Sequence, residues 1–226
     1  MAYRERPSVI DRGVVWTVTP EPGGGRVLPD GCMDLLWLDD DLVIAGPDTR
    51  AYVSTPEQPR AVTGIRLAGG AGASAFGVPA YEVRDRRVRV SDVWGPHAAR
   101  ALRARMASAA DKGGELERIV GARLESQPVD PLMPVIDELA RRGASVSSIA
   151  AVTELSERQL RRRAHAAFGY GAKTLSRIHR FQKALALTGH GVSAAEAAAE
   201  SGYADQAHLA REVRALAGVP LSGLLS

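Results

Sequence analysis

The pattern of apolar and polar residues divides the chain into two parts. The first ninety residues contain short apolar runs bounded by glycine, proline and aspartate, as in VVWTV, RVLPDG, DLLWL, LVIAGP and AVTGIRLAGG. Runs of this length between turn-forming residues favour β-strands. The aspartates Asp39 to Asp41 lie between two of these runs and predict a hairpin connection. We therefore expect a β-rich N-terminal domain.

A helical period replaces this pattern after Trp94. The segments ALRARMASAA and ELERIVGARLES predict two helices that either close the first domain or pair with a second chain. The segment SQPVDP is stiffened by two prolines and predicts a linker. We therefore expect a regulatory domain over residues 1–125, a linker over 126–131 and a helical domain over 132–226.

The helical domain contains two similar arrangements of short helix, tight turn and second helix. In each arrangement a serine is followed three residues later by Gln or Glu, a capping box that marks a helix start: Ser156 with Gln159, and Ser193 with Glu196. A longer helix is expected between the two arrangements, from about residue 172 to 188. The pattern predicts two helix-turn-helix units, whose second helices are candidates to enter the major groove of DNA.

The first of these second helices, SERQLRRRAHAAF, is basic on its outward face. At about 100° per residue, a wheel with Leu160 and Ala164 facing inward places Arg158, Arg162 and His165 opposite them and Arg161 alongside. Arg163 falls towards the packed side. The same construction for the second unit places Arg211 and Arg214 outward, with Gln206 and Ala207 near the leading end.

Charge is concentrated in the same region. The chain has 29 basic and 26 acidic residues, but residues 156–183 hold eight basic residues against one acidic residue, Glu157. Such a cluster is typical of a surface that contacts phosphate, although a solvated helix face has the same composition. The duplication of a capped, basic helix-turn-helix unit favours DNA binding over that alternative.

These residues resemble the AraC/XylS family of transcription regulators over roughly residues 129–226. The similarity lies in SIAAVTELSERQLRRRAHAAFG, in RIHRFQKALALT and in AAEAAAESGYADQAHLAREVRALAGVPLSGLL. It implies contacts with the bases or phosphates of an operator. The residues concerned are Arg158, Arg161, Arg162, Gln206, Ala207, Ala210 and Arg211. The helical wheels add His165 and Arg214 to these candidate DNA contacts. Lys173 and Arg177, on the longer helix between the two units, are predicted to contact phosphates.

The N-terminal part is similar, through LPDGCMDLLWL, IAGPDT and DRRVRVSDVWG, to sensor domains of AraC-like proteins. This resemblance implies a cupin-like or related β-rich fold, and hence an α+β protein overall. Four aromatic residues are candidates to line an effector pocket, with core packing as the alternative for each: Trp16, Trp37, Tyr52 and Tyr81. A small-molecule effector, RNA polymerase and a second copy of the chain are candidate partners besides duplex DNA.

Other functional classes lack their usual residues. Residues 1–96 contain no histidine, and Cys32 is the only cysteine, so imidazole-based or clustered-cysteine metal sites and Ser/His catalysis are not expected there. Residues 69–77 are glycine-rich without the lysine of a P-loop and predict a flexible loop near a small helix. We expect no cofactor and no metal. The short apolar runs predict a cytoplasmic protein without a membrane span.

Three functional hypotheses therefore stand. The first is a ligand-responsive transcription regulator. The second is an enzyme that repairs DNA, which would need an activated cysteine or a zinc site. The third is a module whose basic face binds an acidic protein. Salt-dependent, sequence-selective binding to duplex DNA would distinguish the first from the third.

Overall fold

The computed structural model describes residues 2–19, 25–54 and 61–224. Eight strands fall in the first ninety residues, and the remainder is helical. The strands are β1 (Ala2–Pro7), β2 (Gly13–Thr19), β3 (Gly25–Val27), β4 (Met33–Leu38), β5 (Asp41–Ala45), β6 (Tyr52–Ser54), β7 (Val62–Leu67) and β8 (Arg87–Arg89). The predicted α+β class, with a β-rich N-terminal domain and an all-helical C-terminal domain, is confirmed.

Six strands form one sheet in the order β1-β2-β7-β4-β5-β8, and β3 and β6 form a separate two-stranded ribbon. Each strand pair is antiparallel. The β4–β5 hairpin closes through Asp39 and Asp40, whose φ angles of 49° and 57° are left-handed. Aspartate adopts this conformation more readily than most residues, so the predicted hairpin at Asp39 to Asp41 is confirmed.

Helices from the N-terminal domain cover one face of this sheet. They are α1 (Ala71–Phe76), α2 (Ala80–Val83), α3 (Val90–Trp94), α4 (Pro96–Ser108) and α5 (Lys112–Ser126). Leu35 and Ile65 of the sheet share a buried core with Phe76 and Leu116 of these helices. The flexible loop predicted at residues 69–77 is wrong, because α1 forms there and Phe76 anchors it in the core.

Strand β1 has no counterpart in the sequence prediction, because AYRERP carries no run of apolar residues. It pairs with β2 along its whole length. Its end is attached to α5 by Arg6, which donates two hydrogen bonds of 2.8 and 2.9 Å to the Glu117 carboxylate. The Ser8 hydroxyl and the Val9 amide donate to the same carboxylate. A charged edge strand is therefore recruited by a contact distant in sequence.

The C-terminal part consists of six helices that match the predicted boundaries closely. They are α6 (Leu132–Arg141), α7 (Val146–Val152), α8 (Glu157–Phe168), α9 (Ala172–Gly189), α10 (Ala194–Glu200) and α11 (Gln206–Ala217). A 3-10 turn follows at Leu221–Gly223. Both predicted capping boxes are present. None of the helices in the described part of the chain is long and apolar enough to cross a membrane.

The helical part has two small cores, one for each helix-turn-helix unit. Phe168, Leu175 and Ile178 belong to the first, and Phe181 and Leu209 to the second. Helix α9 contributes to both cores, so it joins the two units rigidly. The N-terminal domain reaches both as well, since Val129 packs between its core and the first unit, and Leu28 packs against the second.

We expect Glu117→Gln to lower the free energy of unfolding by about 2 kcal/mol at pH 7. Arg6, and then the hydrogen bonds from Ser8 and Val9, lower the pKa of Glu117 to about 2. The stabilisation from the carboxylate is complete above the ordinary glutamate pKa and is lost as pH falls from about 4.5 towards 2. Urea unfolding should show a parent-to-variant difference that shrinks over this interval. An equal difference at pH 7 and pH 3 would contradict the assignment.

Candidate nucleic-acid interface

The first helix-turn-helix unit is built by local hydrogen bonds. The Ser145 hydroxyl accepts from the Ser148 amide to start α7, and the Ser156 hydroxyl accepts from the Gln159 amide to start α8. Between the helices, Glu154 has a φ of 55°, which turns the chain sharply. These contacts set the angle at which α8 leaves the turn.

Helix α8 presents arginine to solvent along its outer face. Leu160, Ala164 and Phe168 are buried in the first core, whereas Arg158, Arg161 and Arg162 are exposed. His165 is half-buried on the same face, and burial, then the charges of Arg161 and Arg84, lower its pKa. The neutral imidazole is therefore favoured near pH 7. These four side chains lie on the outward face of α8, as the helical wheel predicts.

Arg163 differs from its three neighbours. Its guanidinium donates a 2.9 Å hydrogen bond to the Asp130 carboxylate, in the segment that precedes α6. The side chain thus ties α8 to the start of the helical domain, as its position on the packed side of the wheel suggests.

The second unit repeats this construction with fewer charges. The Asp205 carboxylate caps α11 by accepting from the His208 amide at 2.6 Å. Leu209 and Val213 are fully buried, whereas the residues predicted to face DNA are exposed. These exposed residues are Gln206, Ala207, Ala210, Arg211 and Arg214.

A basic groove of about 710 Å³ lies between the two units, with α9 as its floor. Its cationic lining comes from the end of α6 and from one face of α9: Arg141, Arg142, Lys173, Arg177, Arg180 and Lys183. The end of α10 forms the opposite wall, with Glu200 as the acidic residue of the lining. A groove of this charge between the two units suits the phosphates of a DNA strand that passes from one major groove to the next.

Several of these cations already have internal partners. Arg177 forms an ion pair with Glu212 of α11, and Arg180 lies 4.6 Å from the centre of the Tyr203 ring. The Lys183 ammonium donates to the Glu200 carbonyl. Lys173 is exposed at the start of α9. Lys173 is therefore better placed for a phosphate than Arg177, which also helps to hold α11 against α9.

A buried carboxylate fixes α9 to the base of the first unit. Asp137 of α6 lies 2.7 Å from His179 Nε2 and 3.0 Å from Arg141, and Arg12 of the N-terminal domain approaches it to 3.4 Å. Burial opposes ionisation of Asp137, but the hydrogen bond and charge of His179, and then Arg141, hold its pKa below the usual range. This cluster could not be predicted from the sequence, because its members are distant along the chain.

The four aromatic candidates for an effector pocket occupy separate environments. Trp16 donates a 2.7 Å hydrogen bond to Asp34, and Trp37 is buried in the first-domain core. Tyr52 is 41% exposed on the β3–β6 ribbon, with the Arg87 guanidinium 4.2 Å from its ring centre. Tyr81 lines a groove of about 650 Å³ beside the basic face of α8. The structure does not bring them together around one ligand.

Cys32 and its neighbours give no sign of catalysis or metal binding. Burial, then the charges of Asp30 and Asp34, raise the pKa of the Cys32 thiol. A thiol that resists ionisation is a poor nucleophile and a poor metal ligand. No group of three or more His, Cys, Asp or Glu side chains suitable for a metal occurs within residues 2–19, 25–54 and 61–224.

Two sequence families match this chain. Residues 137–226 match the family described as "Helix-turn-helix domain", and residues 9–89 match "Domain of unknown function (DUF6597)". The comparison with curated proteins found no match.

Solved structures of ToxT from Vibrio cholerae are similar over nearly the whole chain. An apo, singly substituted form is 10% identical, with 98% of each chain covered and a TM-score of 0.52. A second ToxT structure is 10% identical, with 94% of this chain and 96% of that chain covered and a TM-score of 0.49. A third, bound to an unsaturated fatty acid, is 11% identical, with 94% of each chain covered and a TM-score of 0.48. The first likeness shows that the two-part fold is shared.

We expect Asp137→Ala to destabilise the chain by about 3 to 5 kcal/mol, because it leaves His179 and two arginines without their buried counter-charge. Glu138→Ala is the matched control, since Glu138 lies next in α6 but is 40% exposed at its side chain. That control should leave the free energy of unfolding close to that of the parent. Urea unfolding at neutral pH measures both. Similar losses in the free energy of unfolding for the two variants would show that the buried cluster stabilises the chain no more than an exposed ion pair does.

Proposed function

We propose that the chain is a sequence-specific transcription regulator of the AraC type that binds duplex DNA through both units, and its match to a helix-turn-helix family over residues 137–226 supports this. The observation that carries this proposal is the pair of capped helices, α8 and α11, whose polar faces are exposed. A basic groove between the two units adds a surface suited to phosphate. Family membership favours a regulator over an enzyme.

The contacts with DNA follow from the geometry. Arg158, Arg161 and Arg162 suit bidentate contacts with guanine in one major groove, with His165 beside them. Helix α11 would enter the next groove. The N-terminal half of this helix carries Gln206, Ala207, Ala210 and Arg211, and Arg214 would lie near the phosphate backbone of a DNA strand. Successive major grooves on one face of DNA lie about 34 Å apart, so a monomer can contact both. Lys173 and Arg177 would lie towards the intervening phosphates.

The N-terminal domain is proposed to be the sensor. Its contacts with both helix-turn-helix units provide a physical route by which a small molecule on that domain would change operator affinity. Operator affinities that stay identical across compounds shown to bind the domain would reject this coupling. A homodimer and a contact with RNA polymerase remain predictions.

Selection of bound sequences from random duplex DNA tests the proposed function directly. A monomer that uses both units should select two short elements about one helical turn apart, whereas a symmetric dimer should select an inverted repeat of such elements. Failure to enrich any sequence over random competitor at low salt would reject the regulator. It would then favour the protein-interaction module.

We expect Arg162→Ala to weaken binding to the selected operator by about 1 to 3 kcal/mol and to relax specificity at one base pair. Arg162 is at the centre of the exposed face of α8. If α8 lies in a major groove as proposed, Arg162 would approach a base edge. Binding titrations against the operator and its single-base variants measure both effects. Unchanged affinity and selectivity would show that Arg162 does not contact a base.

Lys173→Ala provides the contrast, since Lys173 is an exposed cation on α9 outside either recognition helix. Loss of a phosphate contact should lower affinity for operator and random duplex alike, and should reduce the slope of log affinity against log salt by about one unit. Selectivity among base variants should stay as in the parent.

A further inference from the structure

The segment GPDTRA, residues 46–51, connects strand β5 to β6 and touches the C-terminal ends of both recognition helices. We call it the bracket loop. We propose that the bracket loop, with Arg84 and Arg26, sets the separation of α8 and α11 and thereby the spacing of the DNA elements that the chain accepts. The part of this inference that concerns DNA rests on the proposed function.

One end of the bracket loop lies against α8. Gly169 ends α8 with a φ of 81°, and a Cβ added there would lie 2.7 Å from Pro47 Cγ, so the Gly169 backbone is already in close contact with the Pro47 ring. Arg84, which follows α2, donates a 2.9 Å hydrogen bond to the Gly169 carbonyl. A cation at the C-terminal end of a helix satisfies a carbonyl that the helix leaves unpaired and interacts favourably with the helix dipole.

The other end of the bracket loop lies against α11. The Ala51 amide donates a 2.6 Å hydrogen bond to the Leu216 carbonyl in the last turn of α11. Arg26 of β3, the partner strand of β6, donates a 2.7 Å hydrogen bond to the Ala217 carbonyl. An arginine of the N-terminal domain therefore holds the C-terminal end of each recognition helix.

The bracket loop itself is rigidly supported by residues 85–87. Arg87 forms a bidentate ion pair with Asp48, with N···O distances of 2.7 and 2.9 Å, and both side chains are largely buried. The Asp85 carboxylate accepts from the Thr49 amide at 2.6 Å and from the Thr49 hydroxyl at 2.8 and 2.9 Å. These paired contacts, of which the Arg87–Asp48 pair is largely buried, restrict the loop to one conformation.

A close backbone contact completes this support. A Cβ on Gly46 would lie 1.7 Å from the Val83 carbonyl oxygen, so the loop begins directly against the end of α2. The Asp85 amide donates a 3.1 Å hydrogen bond to the Pro47 carbonyl. The bracket loop thus connects α8 and α11 through a short, hydrogen-bonded path at their C-terminal ends, whereas α9 connects the two units through their cores.

A distance measurement tests this without DNA. Spin labels attached through Glu157→Cys on α8 and Ala215→Cys on α11, both exposed positions, report the separation of the helices in a Cys32→Ser background. We expect a narrow distance distribution that Arg26→Gln or Arg84→Gln broadens about twofold or more. Arg100→Gln, an exposed arginine on α4, is the matched control. Distributions as narrow in Arg26→Gln and Arg84→Gln as in the control would overturn the proposal.

A second measurement uses the selected operator with one base pair inserted between its two elements. One inserted pair shifts the second element by about 3.4 Å and a tenth of a turn, so the parent should lose roughly tenfold or more in affinity. Arg26→Gln and Arg84→Gln should reduce that discrimination to about threefold or less, because a freed helix adapts to the new spacing. A general loss of stability would weaken binding to both operators without changing their ratio.

The outcomes separate the two ideas. A parent that discriminates between spacings, with variants that discriminate equally well, overturns the spacing role of the bracket loop and leaves the DNA-binding function standing. A parent that prefers no duplex sequence over random competitor rejects the proposed function, and the distance distribution then decides whether the bracket loop still holds the helices apart.

Discussion

The buried carboxylate of Asp137 is the constraint on which the relative placement of the elements depends. A carboxylate with 1% side-chain exposure has to be compensated by hydrogen bonds and counter-charges, and here they come from three places: His179 of α9, Arg141 of its own helix and Arg12 of the N-terminal domain. Because each partner contributes to this compensation, the three elements are held in a single arrangement. The linking helix α9 therefore has a defined direction relative to both the first helix-turn-helix unit and the sheet.

The direction of α9 alone does not fix the orientation of the second unit, which follows the C-terminal end of that helix. Helix α11 packs on α9 through Val213 and Leu216 and is tied to it by the pair between Glu212 and Arg177. Its C-terminal end is held by the Ala51 amide and by Arg26. Two separate connections, one to α9 and one to the N-terminal domain, resist rotation of α11 better than one, since a single attachment leaves a hinge.

Local chemistry explains which features could be predicted from the sequence. The boundaries of α7, α8, α10 and α11 follow from caps and glycines within a few residues of each helix end, and the outward face of α8 follows from its own period. The features that were missed depend on contacts between distant residues. Strand β1 is held by Glu117 of α5, and residues 71–76 form a helix because Phe76 enters the core. The candidate recognition residues could be predicted because they lie on the exposed faces of their own helices. The residues that position those helices form their hydrogen bonds only where the two domains meet.

The C-terminal ends of α8 and α11 are held by the N-terminal domain, and this constrains how the proposed sensor would change DNA binding. Arg84 follows α2, and Arg26 lies in the β3–β6 ribbon, so both belong to elements at the margin of the six-stranded sheet rather than to its central strands. A ligand that shifts either element by an ångström or less would lengthen a hydrogen bond to a helix carbonyl, and such a bond weakens steeply with distance and angle. The second recognition helix has the smaller core and the fewer exposed charges, so it is the one whose orientation depends more on these distant bonds. A signal from the sheet would accordingly change the geometry of the second contact with DNA before it disturbed the first.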